Sequence, residues 1–257
     1  MSEIIDLMPH QKNKINYTEQ GHSILSEAEK SHFWFITRKE FITNHIVKYL
    51  PKDSKAADFG GGTGDIALHL QNMGYDISLC DCFEEGLKIA QSKGVKNLYK
   101  VDINNIPFRK HFDAVCAFDV VEHFENDSAV LKEFNKSLKE NGIVFITVPA
   151  HAWLWHKGDS LHFRRYNRKS MIKLLTETGF EILTVKHFFV FTLPLLVLRK
   201  LLDKFSNEQK EIKINKPINN ILKFITRIEN KILKNCTPKL GGSIFAAARK
   251  IAEVENV

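Results

Sequence analysis

The run Asp58-Phe59-Gly60-Gly61-Gly62-Thr63-Gly64 sets four glycines within five positions, directly after an apolar run and directly before a helical one. Glycine is less favourable than alanine in regular structure by roughly 0.5–1 kcal/mol, so such a cluster belongs where backbone turns sharply or presses against a ligand. Asp58 stands at the lip of the turn, Asp81 ends the next apolar run in SLCDCF, and Asp102 follows the third in VDINNIPF. Carboxylates there oppose a pyrophosphate and favour a ligand carrying an ammonium and a sulfonium. Gly62 to Ala67 also satisfies the loose G-x-G-x-x-G/A pattern of dinucleotide sites, a weak signal by itself. Helix capping by Asp81 and turn capping by Asp102 stay open as blander roles.

Further along, AFDVVEHFEND, from Ala117 to Asp127, places Glu122 and His123 at the mouth of a strand. Histidine titrates near pH 6.5 and suits proton removal at neutral pH, which makes His123 the first candidate base. Asp119, Glu122 and His123 could together hold a divalent ion, but such groups at a strand end serve more often as hydrogen-bonding partners, and no metal is expected. The segment VPAHAWLWHKGDSLHFRRYNRKSM then packs His151, Trp153, Trp155, His156, Asp159, His162, Arg164, Arg165 and Tyr166 into sixteen residues. Two tryptophans give an apolar floor, and arginine grips phosphate or carboxylate through paired hydrogen bonds. His151, Trp155, Arg165 and Tyr166 are therefore the expected acceptor-binding residues, with His162 a second catalytic candidate.

The glycine turn with its leading acid resembles motif I of the class I S-adenosylmethionine-dependent methyltransferases, D/E-x-G-x-G-x-G. That resemblance implies a Rossmann-like fold with a seven-stranded, mostly parallel sheet and an antiparallel last strand. It implies S-adenosyl-L-methionine held by Asp58, Gly60, Gly62 and Gly64, with Asp81 on the ribose, Asp102 and Ile103 at the adenine, and Asp119 close by. The [D/N]-P-P-[F/Y] motif of nucleic-acid base methyltransferases is missing after Ala117, so a small-molecule or lipid- or glycan-linked acceptor is expected and nucleic acid is not. HFWF with Arg38, VPAHAWLW and HFRRY further resemble a bacterial subgroup of the methyltransferase-11/23 type. His32, Trp34 and Arg38 then fall on an amino-terminal element that commonly lids the donor. The rival readings are an NAD(P)-dependent oxidoreductase, a nucleic-acid methyltransferase and a non-catalytic binding module.

The elements that must position these residues alternate. Strands are expected at 56–59, 76–80, 98–101, 112–118, 143–148, 180–191 and 243–249, and helices at 65–73, 83–92, 127–139 and 168–178, after one or two helices in 23–50. Strands separated by helices of this length predict an α/β, doubly wound parallel sheet, with the ligand at the carboxyl ends of the strands. About fifty residues stand between the last two strands, far more than a hairpin needs. The expected division is a helical lid over 1–50, a donor-binding domain over 51–191 and 241–257, and a basic amphipathic helical insertion over 192–240.

With 257 residues and 44% hydrophobic content the chain can bury a core. Its formal charge of +7 is uneven: residues 186–257 hold 14 Lys and Arg against 6 Asp and Glu, and the remainder 23 against 24. Within the insertion, Leu195, Leu198, Leu202 and Phe205 share one helical face, and Ile218, Ile221, Leu222, Ile225, Ile228 and Ile232 form a stripe on a second helix. Either the stripes pack on the body or they meet an anionic membrane surface or an acyl chain. The amino terminus lacks the apolar stretch of a secretory signal, which predicts a cytoplasmic protein, membrane-associated if the stripes meet lipid. Four cysteines too scattered for a metal site agree with that compartment.

Overall fold

The computed structural model describes residues 2–8, 19–156, 159–202 and 214–251. Two helices, α1 (Glu19–Ser31) and α2 (Phe33–Ile46), precede an alternation of β2 (Lys55–Phe59), α3 (Asp65–Asn72), β3 (Asp76–Asp81), α4 (Glu84–Lys93), β4 (Asn97–Lys100), β5 (Phe112–Phe118), α5 (Asp127–Ser137), β6 (Leu138–Pro149), α6 (Arg168–Glu177) and β7 (Phe180–Phe188). The helices α7 (Leu193–Leu202) and α8 (Lys216–Ile232) then intervene before β8 (Ser243–Lys250). Sheet order is β1-β4-β3-β2-β5-β6-β8-β7. Every pairing is parallel except those of β8, which runs antiparallel to both β6 and β7. The Rossmann-like architecture is therefore present, with eight strands among the described residues where seven were expected. The additional one is β1 (Ile4–Asp6), laid parallel along the β4 edge. Three residues at a sheet edge, one side half exposed, carry no alternation from which a strand could be read.

Chain order reverses between β2 and its two neighbours, β3 on one side and β5 on the other. Connections leave that point in opposite directions, and a crevice opens beyond the carboxyl ends of both strands. Apolar side chains cover both sheet faces. Phe59, Phe112 and Phe134 pack on one, while Phe41, Ile42, Phe145 and Phe245 pack on the other. Burial of each such side chain contributes about 1.5–3 kcal/mol, which fixes the strand ends from which the functional groups project.

Strand β7 stops at Phe188 rather than running to Phe191. Phe189 takes φ +59°, and the Glu229 carboxylate accepts the N–H groups of Val190 and Phe191, so a side chain replaces the strand partner. Helix α5 gives way to β6 at Leu138, earlier than the expected Ile143. Leu202 ends α7, and the expected Phe205 lies outside the described residues. Among the described residues no helix is long and apolar enough to cross a membrane.

Candidate active site

A cavity of about 740 Å³ occupies the crevice. Its floor is the turn after β2. Gly62 has φ +55°, a conformation that side-chain-bearing residues avoid, and its N–H donates to Asp81 Oδ2 at 2.8 Å. A Cβ there would point to open space, with Leu25 Cδ2 its nearest neighbour at 3.8 Å, so the missing side chain leaves room above the backbone. Gly64, also left-handed at φ +75°, starts α3 and does not line the cavity; a Cβ there would stand 2.8 Å from Ala90. Its place is in the packing under the turn.

Acidic groups surround this floor. Asp58 is 1% exposed, and its Oδ1 has no hydrogen-bond partner among the described residues. Burial pushes its carboxyl up to about 7, with the Arg38 guanidinium acting the other way. Asp81 spends Oδ1 on the N–H of Phe83 at 2.9 Å and Oδ2 on Gly62; burial raises its pKa, and those two donors oppose the rise. Glu29 of α1 reaches Thr63 Oγ1 and Lys93, and Asp65 pairs with Lys39 at 2.7 Å. A buried carboxylate whose oxygen lacks a partner awaits a donor or a positive charge, which fits a cationic ligand and opposes a diphosphate.

Asp102 caps the turn Ile103–Asn105, its Oδ1 accepting from the Asn104 N–H at 2.9 Å, and it does not line the cavity; Ile103 does. Asp119 (φ +58°) does as well. Its Oδ2 lies 2.5 Å from Arg38 Nη2, a contact of opposite charges rather than an aligned hydrogen bond. Arg38 is buried beneath Trp34, 4.8 Å from the ring centroid, and so anchors α2 to the end of β5.

Two histidines also line the cavity. His123 Nδ1 lies 3.1 Å from the Leu161 carbonyl, and its ring meets His162 edge-on at 4.7 Å. Donation to that carbonyl assigns the proton to Nδ1 and leaves Nε2 basic. Burial, then the neighbouring His162, lower the His123 pKa and keep the ring neutral. His162 Nδ1 stands 3.0 Å from Asp159 Oδ1. Burial disfavours the Asp159 charge, but hydrogen bonds from His162 and Arg165 outweigh it and hold the carboxyl well below its usual range. Behind His123, the Glu122 carboxyl is fully buried with neither oxygen partnered among the described residues; burial and then Asp119 push its pKa well above the ordinary value. Glu122, His123 and His162 bring one ligand atom each within 4.8 Å of one another.

The remaining expected acceptor residues do not line this cavity. Arg165 makes two hydrogen bonds to Asp159, at 2.8 and 2.9 Å, and a third to the Ala150 carbonyl. Tyr166 is buried and donates to Asp127 Oδ2 at 2.8 Å. His151 stacks on His187 with centroids 5.0 Å apart, and Trp155 is 41% exposed. His32 caps α2 instead of facing the cavity. The walls include residues outside the initial set: His22, Leu25 and Glu29 from α1, and Phe124, Leu161 and Phe163 near the histidines. His22, Leu25 and Glu29 recur at three- and four-residue spacing, so a helical face carrying both apolar and titratable groups was their available signal.

A parallel sheet closed by an antiparallel strand, with an acid-rimmed glycine turn at its switch point, defines a class I S-adenosylmethionine-dependent methyltransferase. Residues 14–185 match the family model described as a methyltransferase domain, and the chain belongs to that family. It is an enzyme, and its methyl donor is S-adenosyl-L-methionine. Among relatives, the ubiquinone biosynthesis O-methyltransferase of Rickettsia canadensis (strain McKiel) is 25% identical over 171 residues, covering 58% of this chain and 72% of that one. Among solved structures, Haemonchus contortus phosphoethanolamine N-methyltransferase 2 with S-adenosyl-L-methionine superposes with TM-score 0.63 at 19% identity, over 93% of this chain and 59% of that one. A SAM-dependent methyltransferase of Methanosarcina mazei gives TM-score 0.55 at 16% identity, over 81% and 98%. At these identities the solved structures are evidence for the fold alone.

Proposed function

We propose that this enzyme methylates a hydroxyl group of a small acceptor with an apolar portion, a lipid-linked compound included. The observation that carries this reading is one cavity lined both by an acid-rimmed glycine turn and by the His123–His162 pair. In this reading residues 51–191 and 241–257 form the donor-binding domain, 1–50 its lid and 192–240 an accessory insertion, in the cytoplasm. HFWF and HFRRY each send residues to the cavity wall, which supports the bacterial subgroup that shares them.

S-Adenosyl-L-methionine supplies a methyl group on a positively charged sulfur. Asp58 and Gly60 to Gly62 would hold the amino-acid end of the donor, Asp81 would take the ribose hydroxyls, and Ile103 would pack against the adenine, while Asp102 shapes the turn that carries Ile103. Asp119, set by Arg38, lines the same cavity and would face the bound donor. His123 Nε2 would accept the acceptor's hydroxyl proton, and the bound donor would supply the methyl group to that oxygen, its sulfur leaving neutral. His162, oriented by Asp159, receives or relays that proton. Phe124 and Phe163 supply the apolar acceptor wall, and Arg165 and Tyr166 shape the loop behind it. The relatives' name points to O-methylation, so acceptors from ubiquinone biosynthesis come first in the trial. The experiment is methyl transfer from labelled donor to those compounds and to lipid, glycan and small-molecule pools of a cell extract; labelled product in none of them defeats the reading.

A second reading of the proton step has its own observation, the ligand atoms of Glu122, His123 and His162 within 4.8 Å of one another. A divalent cation held there would acidify the acceptor hydroxyl in place of a free imidazole. Turnover lost on chelation and restored by magnesium selects the cation; turnover indifferent to chelation selects the histidine.

A further inference from the structure

Helix α8 is mounted with its polar side inward. Asn219 accepts from the Phe33 N–H and donates to the Ser31 carbonyl, both at 2.8 Å, and Asn230 donates to the Thr37 carbonyl at 3.1 Å. Glu229, 1% exposed, takes the N–H groups of Val190 and Phe191 at 2.9 and 2.7 Å. On the other side Ile218, Ile221, Phe224, Ile228 and Ile232 follow one another at intervals of three or four residues and are 53, 57, 65, 37 and 58% exposed. A surface helix ordinarily turns such a stripe toward the core. Rolling α8 to bury the stripe would leave Glu229, two asparagines and several backbone groups without partners, so the outward orientation is locked.

Charge indicates what the stripe meets. Residues 214–240 contain Lys216, Lys223, Lys231, Lys234 and Lys239, together with Arg227, which pairs with Glu40 of α2, but a single acid, Glu229, whose carboxylate is spent on the inward side. Two copies laid stripe to stripe would set these cations against one another. An anionic lipid surface satisfies the apolar stripe and the charge together. Seventeen residues with four cations cannot span a bilayer but can lie along its surface. On the neighbouring helix α7, Leu195, Leu198 and Leu201 are likewise outward, 46, 50 and 69% exposed.

We infer that α8 docks this enzyme on an anionic membrane, lying in the headgroup layer with its isoleucine and phenylalanine stripe at the acyl boundary. Because α8 is bonded to α2, whose Trp34, Phe35 and Arg38 line the cavity, docking holds that wall close to the bilayer. The inference rests on α8 alone and not on the proposed acceptor.

Flotation of the full chain with phosphatidylcholine vesicles, with and without phosphatidylglycerol, tests it. The expected result is binding only to the anionic vesicles, weakened by salt and reduced on the order of a hundredfold in Ile221→Ser/Phe224→Ser/Ile228→Ser. That variant should still bind the methyl donor with wild-type affinity in calorimetry, which separates lost docking from lost fold. Absence of flotation at low salt overturns the inference. So does a concentration-dependent dimer that the triple variant abolishes, which would assign the stripe to a second copy. Vesicle binding that appears only after deletion of residues 203–213 would assign it to that segment and also overturn the inference.

Discussion

The ends of β2 and β3 and the loop over 150–166 after β6 both concentrate charged or aromatic side chains, and the structure uses them in opposite ways. At the strand ends, Asp58 and Asp81 face the cavity, held by a sheet whose register leaves them one direction to point. In the loop, Arg165 and Tyr166 turn inward and spend their hydrogen bonds on Asp159 and Asp127. A reactive residue type becomes a site only where backbone geometry aims it. In this loop, among the described residues, only Ser160 to Phe163 reach the cavity, while Arg165 and Tyr166 satisfy neighbouring acids first.

The largest effect expected separates the strand-end acids from the histidine pair directly. His123→Ala removes the proposed proton acceptor and should lower kcat by about 10²–10⁴-fold while leaving donor affinity unchanged, measured by turnover and calorimetry on one preparation. Asp81→Asn should do the reverse. The amide has a single acceptor oxygen for the Gly62 and Phe83 N–H groups and loses the charge offered to the donor's ribose, so donor Kd should rise about ten- to hundredfold with kcat near wild type. If both variants change the same parameter, the division of labour is wrong.

A smaller effect follows from Asp58. Burial holds its carboxyl at about 7 in the free protein, and a cationic donor stabilises the ionised form. Below that pH the donor must displace a proton, so its affinity should rise about tenfold between pH 6 and pH 8, with proton release in calorimetry near pH 6.5. Stability runs the opposite way. A folded pKa above the unfolded value of 3.8 favours the folded state at low pH, and that advantage is lost as pH rises through about 7. Asp58→Asn should therefore raise the melting temperature of the donor-free protein at pH 8 and flatten the pH dependence of donor binding. A variant that loses stability at pH 8 would show that Asp58 is held by partners rather than strained by burial.

These contrasts also mark how far the chain could be read without coordinates. The alternation of strands and helices was legible because each obeys its own period and ends at a glycine, proline or cap. Strand β1 was not, since three residues at an edge leave no pattern. Helix α8 was legible as a helix but its stripe only in part, since Leu222 and Ile225 are half-buried and Phe224 joins the outward side, and nothing local shows that asparagines and Glu229 would be the buried side. Their partners are backbone groups of α2 and of the β7–α7 link, close in space and remote in sequence. At the candidate site, Asp58, Asp81 and His123 follow strands, a placement legible in the sequence, and all three line the cavity. Glu29 was not, because its role depends on α1 folding across the glycine turn to reach Thr63 and Lys93.

The smallest kinetic effect belongs to the loop, where the comparison is easiest to break. Arg165 is 6% exposed at its side chain and Asp159 2%, so the pair is shielded from water on both sides. Arg165→Ala strands a buried carboxylate, at a cost of about 3–5 kcal/mol, and lowers the melting temperature. His162 keeps its Asp159 neighbour, so acceptor KM should stay within about threefold wherever the variant folds. Trp155→Ala, at a side chain 41% exposed and away from the cavity, should leave both stability and KM unchanged. An acceptor KM that rises tenfold or more in Trp155→Ala at undiminished stability would mean that the loop closes over the acceptor during turnover. Its aromatic and cationic side chains would then be aimed by substrate rather than by the resting backbone.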